Sequence, residues 1–345
     1  MLLATTVAWA QRPQFNAQLP GVHDPVMAQG EDGKYYIFST GMGVGVMSSP
    51  DMKTWQREKS VFDIRNNEIP QWAVDSVRGY RGHTWAPDIS YHNGQWYLYY
   101  SCSVFGKNRS AIGVAVNKTL DPTSPDFKWV DKGPVIVSHQ HQDSWNAIDP
   151  NLIVDTATGT PYLTYGSFWD GIQLVKLDKD LQTPLTQPVT ISRRIGRKIT
   201  LAEIDNIQHY TIEGNDTIEA GENAVEAPFI TYNEKTGYYY LFVAFDYCCR
   251  GQASTYKTVY GRSKNIEGPY LDEKGQPMEK GGGTYLFGPD NEFFGVGHCS
   301  VYNFNGKWYF LSHAYDKSRN GEARLFLKQI KFNKDGWIVA AKSKK

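Results

Sequence analysis

The sequence predicts an all-β fold, a five-bladed β-propeller in a single domain, on three observations. Strand signals run from end to end of the 345 residues, as aromatic and β-branched stretches bounded by Gly, Pro, Asn and Asp, without a long amphipathic helix. Five of these stretches are strongly aromatic and follow a turn containing Gly: Asp32-Gly33 before Tyr35 to Phe38, Asn93-Gly94 before Trp96 to Tyr100, Thr158-Gly159 before Pro161 to Tyr165, Thr236-Gly237 before Tyr238 to Phe242, and Asn305-Gly306 before Trp308 to Leu311. Ahead of each stands a short acidic or His-containing motif: His23-Asp24-Pro25, Trp85-Ala86-Pro87-Asp88, Ile148-Asp149-Pro150, Glu226-Ala227-Pro228 and Gly297-His298-Cys299-Ser300. Self-similarity of this kind marks a repeat architecture.

Taken in order, the motifs begin near residues 24, 86, 149, 226 and 298, in steps of 62, 63, 77 and 72. Such a unit suits a four-stranded antiparallel sheet with generous loops, and five sheets set radially protect their edges as a propeller. In the first unit, Gly45 to Trp55 alternates and then turns into an aromatic. In the second, Ala111 to Val116 reads as a buried strand closed by Leu120-Asp121-Pro122. The third carries the most polar insertion, Ser192 to Gly221, expected as an exposed excursion. The fourth continues with Val259 to Ser263 and the turn Ile266 to Tyr270. No Pro/Ser-rich linker divides the chain, so residues 11–345 are expected as one catalytic domain.

Bulk properties narrow the function. With 36 basic and 36 acidic residues the formal net charge is zero, and no basic stripe or acidic block suggests nucleic acid or a membrane surface. No apolar run reaches the roughly 18 residues of a spanning helix. Residues 1–10 end in Ala8-Trp9-Ala10 and read as a residual signal peptide, which implies a secreted or periplasmic protein. The cysteines Cys102, Cys248, Cys249 and Cys299 have no zinc-finger spacing, and adjacent Cys248 and Cys249 are expected as free thiols. No oligomer signal stands out, so a monomer is expected.

In a propeller, a motif opening the same strand of each blade brings its residues together around one axis. Asp24, Asp149 and Glu226 supply carboxylates there, and the fifth copy supplies His298. Asp and Pro also make ordinary turns. Three carboxylates and a His recurring across repeats carry more than that. In a semi-buried cavity such carboxylates repel, and one is held protonated. A protonated acid facing an ionised one is the equipment of glycoside hydrolysis. Aromatic side chains near the motifs suit a sugar ligand: Trp85, Phe105 and Trp145, with Phe168 and Trp169 in the loop Gly166 to Gly171. Asp88, two residues later than the other acids, reads as structural.

The motif set resembles glycoside hydrolase family 43, in His23-Asp24-Pro25, Trp85-Ala86-Pro87-Asp88, Asn146 to Pro150, Val225 to Pro228 and Gly297-His298. Within that family the chain is most similar to the endo-α-1,5-L-arabinanases, through Tyr99 to Gly113, Gly166 to Trp169 and Cys248 to Gly251. The resemblance implies inversion at the anomeric carbon of arabinan, with Asp24 as general base and Glu226 as general acid. Asp149 is implied as the carboxylate that positions the acid and keeps its pKa high. Substrate contacts are implied for Trp85, Phe105, Asn146, Ser167, Phe168 and Trp169, and a largely hydrated Ca2+ near His298. Cys299 departs from the family, where Asn is frequent, and so bears on the hydration of that ion. An exo-acting arabinofuranosidase or β-xylosidase, and a carbohydrate-binding propeller without catalysis, are the alternatives.

Overall fold

The computed structural model describes residues 15–198, 203, 209–211, 217–219 and 223–340. The expected signal segment, residues 1–10, lies outside the described residues, as does much of the Ser192 to Gly221 excursion. The chain is all-β, as expected, and the strands run in sequence order within antiparallel arrays. The first array is Val26–Gln29, Tyr35–Ser39, Gly45–Ser49 and Gln56–Arg57. The second is His83–His92, Gln95–Cys102, Ser110–Asn117 and Val130–Ser138, edged by Gly41–Met42. The third is Asn151–Val154, Pro161–Tyr165, Ile172–Lys176 and Val189–Ser192.

His209–Thr211 and Thr217–Glu219 form a two-stranded sheet of their own. The remaining described strands form one eight-stranded sheet. It divides into two antiparallel runs joined by the single parallel pair Lys257↔Val296. One run is Val225–Asn233, Tyr238–Phe245, Lys257–Ser263 and Thr284–Phe287. The other is Phe293–Phe304, Lys307–Asp316, Glu322–Phe332 and Ile338–Ala340. The first strands of successive runs touch one another, and the last, Phe293–Phe304, touches the first, Val26–Gln29.

Packing explains why the second strands are aromatic at consecutive positions rather than alternately. Side chains in a strand point to opposite faces in turn. Leu98 and Tyr100 join the cluster shared with Tyr36 and Phe38 of the first array. Tyr97 and Tyr99, on the other face, join Leu163 and Tyr165 of the third. The same happens between Tyr162 and Leu241, and between Phe242 and Phe310. Ile37 and Leu311 complete the sequence by joining the last run to the first. Each sheet is therefore covered on both faces, and each large apolar side chain so buried contributes about 1.5–3 kcal/mol.

Two of the five hairpins close on Asn-Gly with both residues at positive φ, Asn93-Gly94 and Asn305-Gly306, the conformation of a tight two-residue turn. The six-residue helix Gln71–Ser76 has no counterpart in the sequence expectations; it buries only Ala73, too little for a visible apolar stripe. Among the described residues no helix is long and apolar enough to cross a membrane. The excursion after Ser192 starts pinned rather than exposed. Arg193 pairs with Asp170 and Arg194 with Asp246, and the side chain of Asn223 accepts from the amides of Arg194 and Ile195.

Candidate active site

One residue at the head of each first strand adopts a left-handed backbone: Asp24 (φ 52°), Ala86 (41°), Asp149 (58°), Ala227 (56°) and His298 (52°). Non-glycine residues pay on the order of 1–3 kcal/mol for this conformation, so its recurrence is imposed by the surrounding structure. Strand pairing skips two residues at the same place, between Trp85 and Asp88, Glu226 and Phe229, and Gly297 and Ser300. The second skipped residue is Pro25, Pro87, Pro150 or Pro228 in four copies, and Pro brings no N–H to leave unpaired in a bulge. This register corrects one expectation. Glu226 is not equivalent to Asp24 and Asp149; it precedes the kink by one residue, as His23, Trp85 and Gly297 do.

Four of the five kinks are tied to the preceding array. The Asp24 N–H donates to His313 Nδ1 (3.1 Å), that of Ala86 to Thr40 Oγ1 (2.8 Å), that of Asp149 to Ser101 Oγ (3.0 Å), and that of Ala227 to Asp149 Oδ2 (3.1 Å). The motif residues are thus stitched array to array.

Asp24 sits among imidazoles. Its Oδ1 faces the Nδ1 atoms of His298 at 3.1 Å, His23 at 3.4 Å and His313 at 3.5 Å. Its Oδ2 accepts the hydroxyl of Thr40 at 2.5 Å. Burial alone would raise this carboxyl, but the charge of His298, the neighbouring His23 and hydrogen bonds from both rings outweigh it and hold Asp24 well below the usual carboxylate range. In return, although burial works against its charge, His298 is pushed up to about 9, first by Asp24 and then by Asp149 and Glu226. His313, wholly buried, is kept well below the ordinary imidazole value by burial and by the neighbouring His23.

Asp149 and Glu226 have different company. Glu226 Oε2 accepts from Ser167 (2.9 Å) and its Oε1 from the Tyr256 hydroxyl (2.6 Å). Asp149 holds the amide of Ala227, the residue next to Glu226, and so fixes the acid through its backbone. Burial pushes Asp149 well above the usual range, the charge of His298 opposes this, and the charge of Glu226 adds to it. The raised group is therefore Asp149, the carboxyl expected to hold up its neighbour. Gly297 makes room for Tyr256: a Cβ there would lie 2.3 Å from the tyrosine ring.

Second strands return to this end of the molecule, so the loops after them flank the kinks. Phe105 is 80% exposed in one such loop. Phe168 and Trp169 are half-buried in another, both at positive φ, with Phe168 near Tyr247 at 6.2 Å between ring centroids. Trp85 is half-buried beside the second kink and donates its indole N–H to His83 Nδ1. Two other expected substrate contacts have protein partners. Asn146 is buried with its Oδ1 accepting from Ser110, and Ser167 is spent on Glu226. Cys299 packs into the core with Phe229 and Val301. Asp88 is structural in its contacts, accepting from Asn151 Nδ2 and the Leu152 amide, and burial pushes it up to about 6.

Thr40, Tyr256, His313 and Tyr315 were not singled out by sequence reasoning. All lie in or just after second strands or in loops, within stretches that read as core.

The family model for glycosyl hydrolases family 43 matches residues 16–338. The chain is 43% identical to an extracellular exo-α-(1→5)-L-arabinofuranosidase of Cellvibrio japonicus (strain Ueda107), over 92% of this chain and 85% of that one. It is 38% identical to the extracellular endo-α-(1→5)-L-arabinanase 1 of Bacillus subtilis (strain 168), over 97% and 93%. The crystal structure of an exo-1,5-α-L-arabinanase from a bovine ruminal metagenomic library is 56% identical, with a TM-score of 0.85 over 96% of this chain and all of that one.

Proposed function

Since the chain belongs to glycosyl hydrolase family 43, we propose that it hydrolyses the α-1,5-L-arabinofuranosidic bonds of arabinan with inversion. One observation carries this reading: a carboxylate held ionised, Asp24, shares one end of the molecule with Glu226 and with Asp149, a carboxyl that burial pushes toward its protonated form. Asp24 takes a proton from the attacking water as the water oxygen bonds to the anomeric carbon. Glu226 gives its proton to the departing glycosidic oxygen, and Asp149, fixed to the amide of Ala227, positions that acid. Inversion requires roughly 6.5–9.5 Å between acid and base, room for one water. Phe105, Phe168, Trp169 and Trp85 offer ring faces to the sugar, at the end where the carboxyl groups stand.

The same proposal takes the fold as a five-bladed propeller in one domain. Core clusters and amide ties that run from each array to the next, and from the last to the first, support it. Relatives named extracellular support export, and the enzyme is taken to act as a monomer.

Calcium belongs to this reading as a mostly hydrated ion near His298. Calcium takes six to eight oxygen ligands. The side chains touching Asp24 are imidazoles and one threonine, so water has to supply most of the shell, while the ionised Asp24 attracts the cation. A bound ion would act on the field at Asp24 and on stability. Exhaustive chelation should lower the melting temperature and the rate, and calcium should restore both; no change in either removes the ion from the site.

Endo action is the first reading. The relative at 43% identity and the structure at 56% are named exo-acting, which favours exo release as the second. Early products from debranched arabinan decide between them, with mixed oligosaccharides for endo action and a single short product for exo. Failure to release any sugar from arabinan while aryl xylosides are cleaved would overturn both.

A further inference from the structure

We propose that Tyr315 is a positioning residue for the general base: of the two histidines that bracket Asp24, it accepts from His313 and so sets the tautomer of His23. The inference rests on Asp24 acting as the base.

The argument is a count of protons. His313 Nδ1 accepts the Asp24 amide at 3.1 Å, so it carries no hydrogen, and the neutral ring must carry its proton on Nε2. That Nε2–H lies 3.2 Å from the Tyr315 oxygen. The same oxygen accepts the amide of Cys249 at 2.7 Å. Two donors fill its two lone pairs. Its own hydrogen is left for the remaining neighbour, His23 Nε2, at 3.3 Å. An acceptor at Nε2 puts the His23 proton on Nδ1, which faces Asp24 Oδ1 at 3.4 Å. A doubly protonated His23 would aim a third N–H at a filled oxygen and leave the phenol hydrogen without an acceptor.

The arrangement is held from outside. Tyr315 is 2% exposed on the strand Lys307–Asp316, and the His23 and His313 rings lie 4.0 Å apart. Cys249 presents its amide from a left-handed backbone (φ 63°). The phenol thus converts a fixed backbone donor into a fixed orientation of the carboxylate, with Oδ1 held by histidines and Oδ2 by Thr40. Tyr315 touches neither water nor sugar in this scheme; it acts through His23 and His313.

Long-range proton–nitrogen spectra of protein labelled with nitrogen-15 in histidine read the tautomers directly, with His23→Gln and His313→Gln to assign the signals. Wild-type protein should show His313 protonated on Nε2 alone and His23 on Nδ1 alone. In Tyr315→Phe the His23 signature should lose its single tautomer. The kcat on arabinan should fall roughly three- to tenfold, the weight of one hydrogen bond, with KM nearly unchanged. A wild-type His23 carrying hydrogen on Nε2 overturns the proposal, and so does a Tyr315→Phe enzyme with unaltered spectra and kcat. The wild-type spectrum stands even if the variant folds poorly. Asp24→Asn separates the two readings: full turnover there ends the assignment of the base and leaves the tautomers as measured.

Discussion

Asp24 and Glu226 stand at the heads of first strands in different arrays, one on the kink and one just before it. Around Asp24 are three imidazoles, of which His298 and His23 hold it ionised. Around Glu226 are two hydroxyls and a second carboxyl, Asp149, which burial drives toward its protonated form. Histidines can supply positive charge, whereas hydroxyls only donate and accept. On the proposed reading, the same backbone device, repeated, presents a base in one array and an acid in another, with different neighbours around each.

The largest expected effect breaks the comparison outright. Asp24→Asn and Glu226→Gln should each lower kcat on arabinan by about 10²- to 10⁴-fold, the weight of a positioned base or acid. They should then part company on an activated aryl arabinofuranoside, whose leaving group needs no proton. Glu226→Gln should recover most of its rate and Asp24→Asn almost none. Equal recovery by both would mean that the two carboxyls do not divide the labour.

Next in size is the loss of the imidazole nearest to Asp24. His298→Gln removes a positive charge that lowers Asp24 and also opposes the upward push on Asp149. The folded-state pKa of each should rise. The base is ionised only above its pKa, so the acid limb of the pH profile of kcat/KM should move to higher pH. Asp149 keeps its proton to higher pH, so the alkaline limb should move the same way. A displaced bell, not a narrowed one, is the expected result; limbs moving in opposite directions would contradict the shared field.

Much of this division was legible in the repeat. Asp24, Asp149 and His298 fall on the kink that the motif alignment selects, and the aromatic strands are where the turns put them. Glu226 was aligned one residue late, although the signal was present: matching Pro25, Pro87, Pro150 and Pro228 sets Glu226 beside Trp85 rather than beside Asp24. The partners were harder. Ser167, Tyr256 and His313 reach the carboxyls from neighbouring strands and loops, and Tyr256 and His313 sit in buried runs where an aromatic or polar residue reads as packing. Only the closure of one array against the next gives them a role. Cys299 is a different case: it follows His298 in the chain, yet its side chain packs in the core with Phe229 and Val301.

The smallest expected effects test those partners and return to the comparison. Tyr256→Phe and Ser167→Ala each remove one hydroxyl from Glu226, and Thr40→Val removes one from Asp24. Each should lower kcat on arabinan by roughly three- to tenfold, since a single hydrogen bond contributes about 0.5–1.5 kcal/mol. Phe keeps the ring that fits against Gly297, so its melting temperature should change little. The substrate again separates them. With an aryl leaving group the step that Glu226 assists no longer limits the rate, and the deficits of Tyr256→Phe and Ser167→Ala should disappear. The deficit of Thr40→Val should persist, because the water still has to be activated. If it disappears as well, Thr40 orients something other than the base, and the ionised half of the comparison rests on the histidines alone.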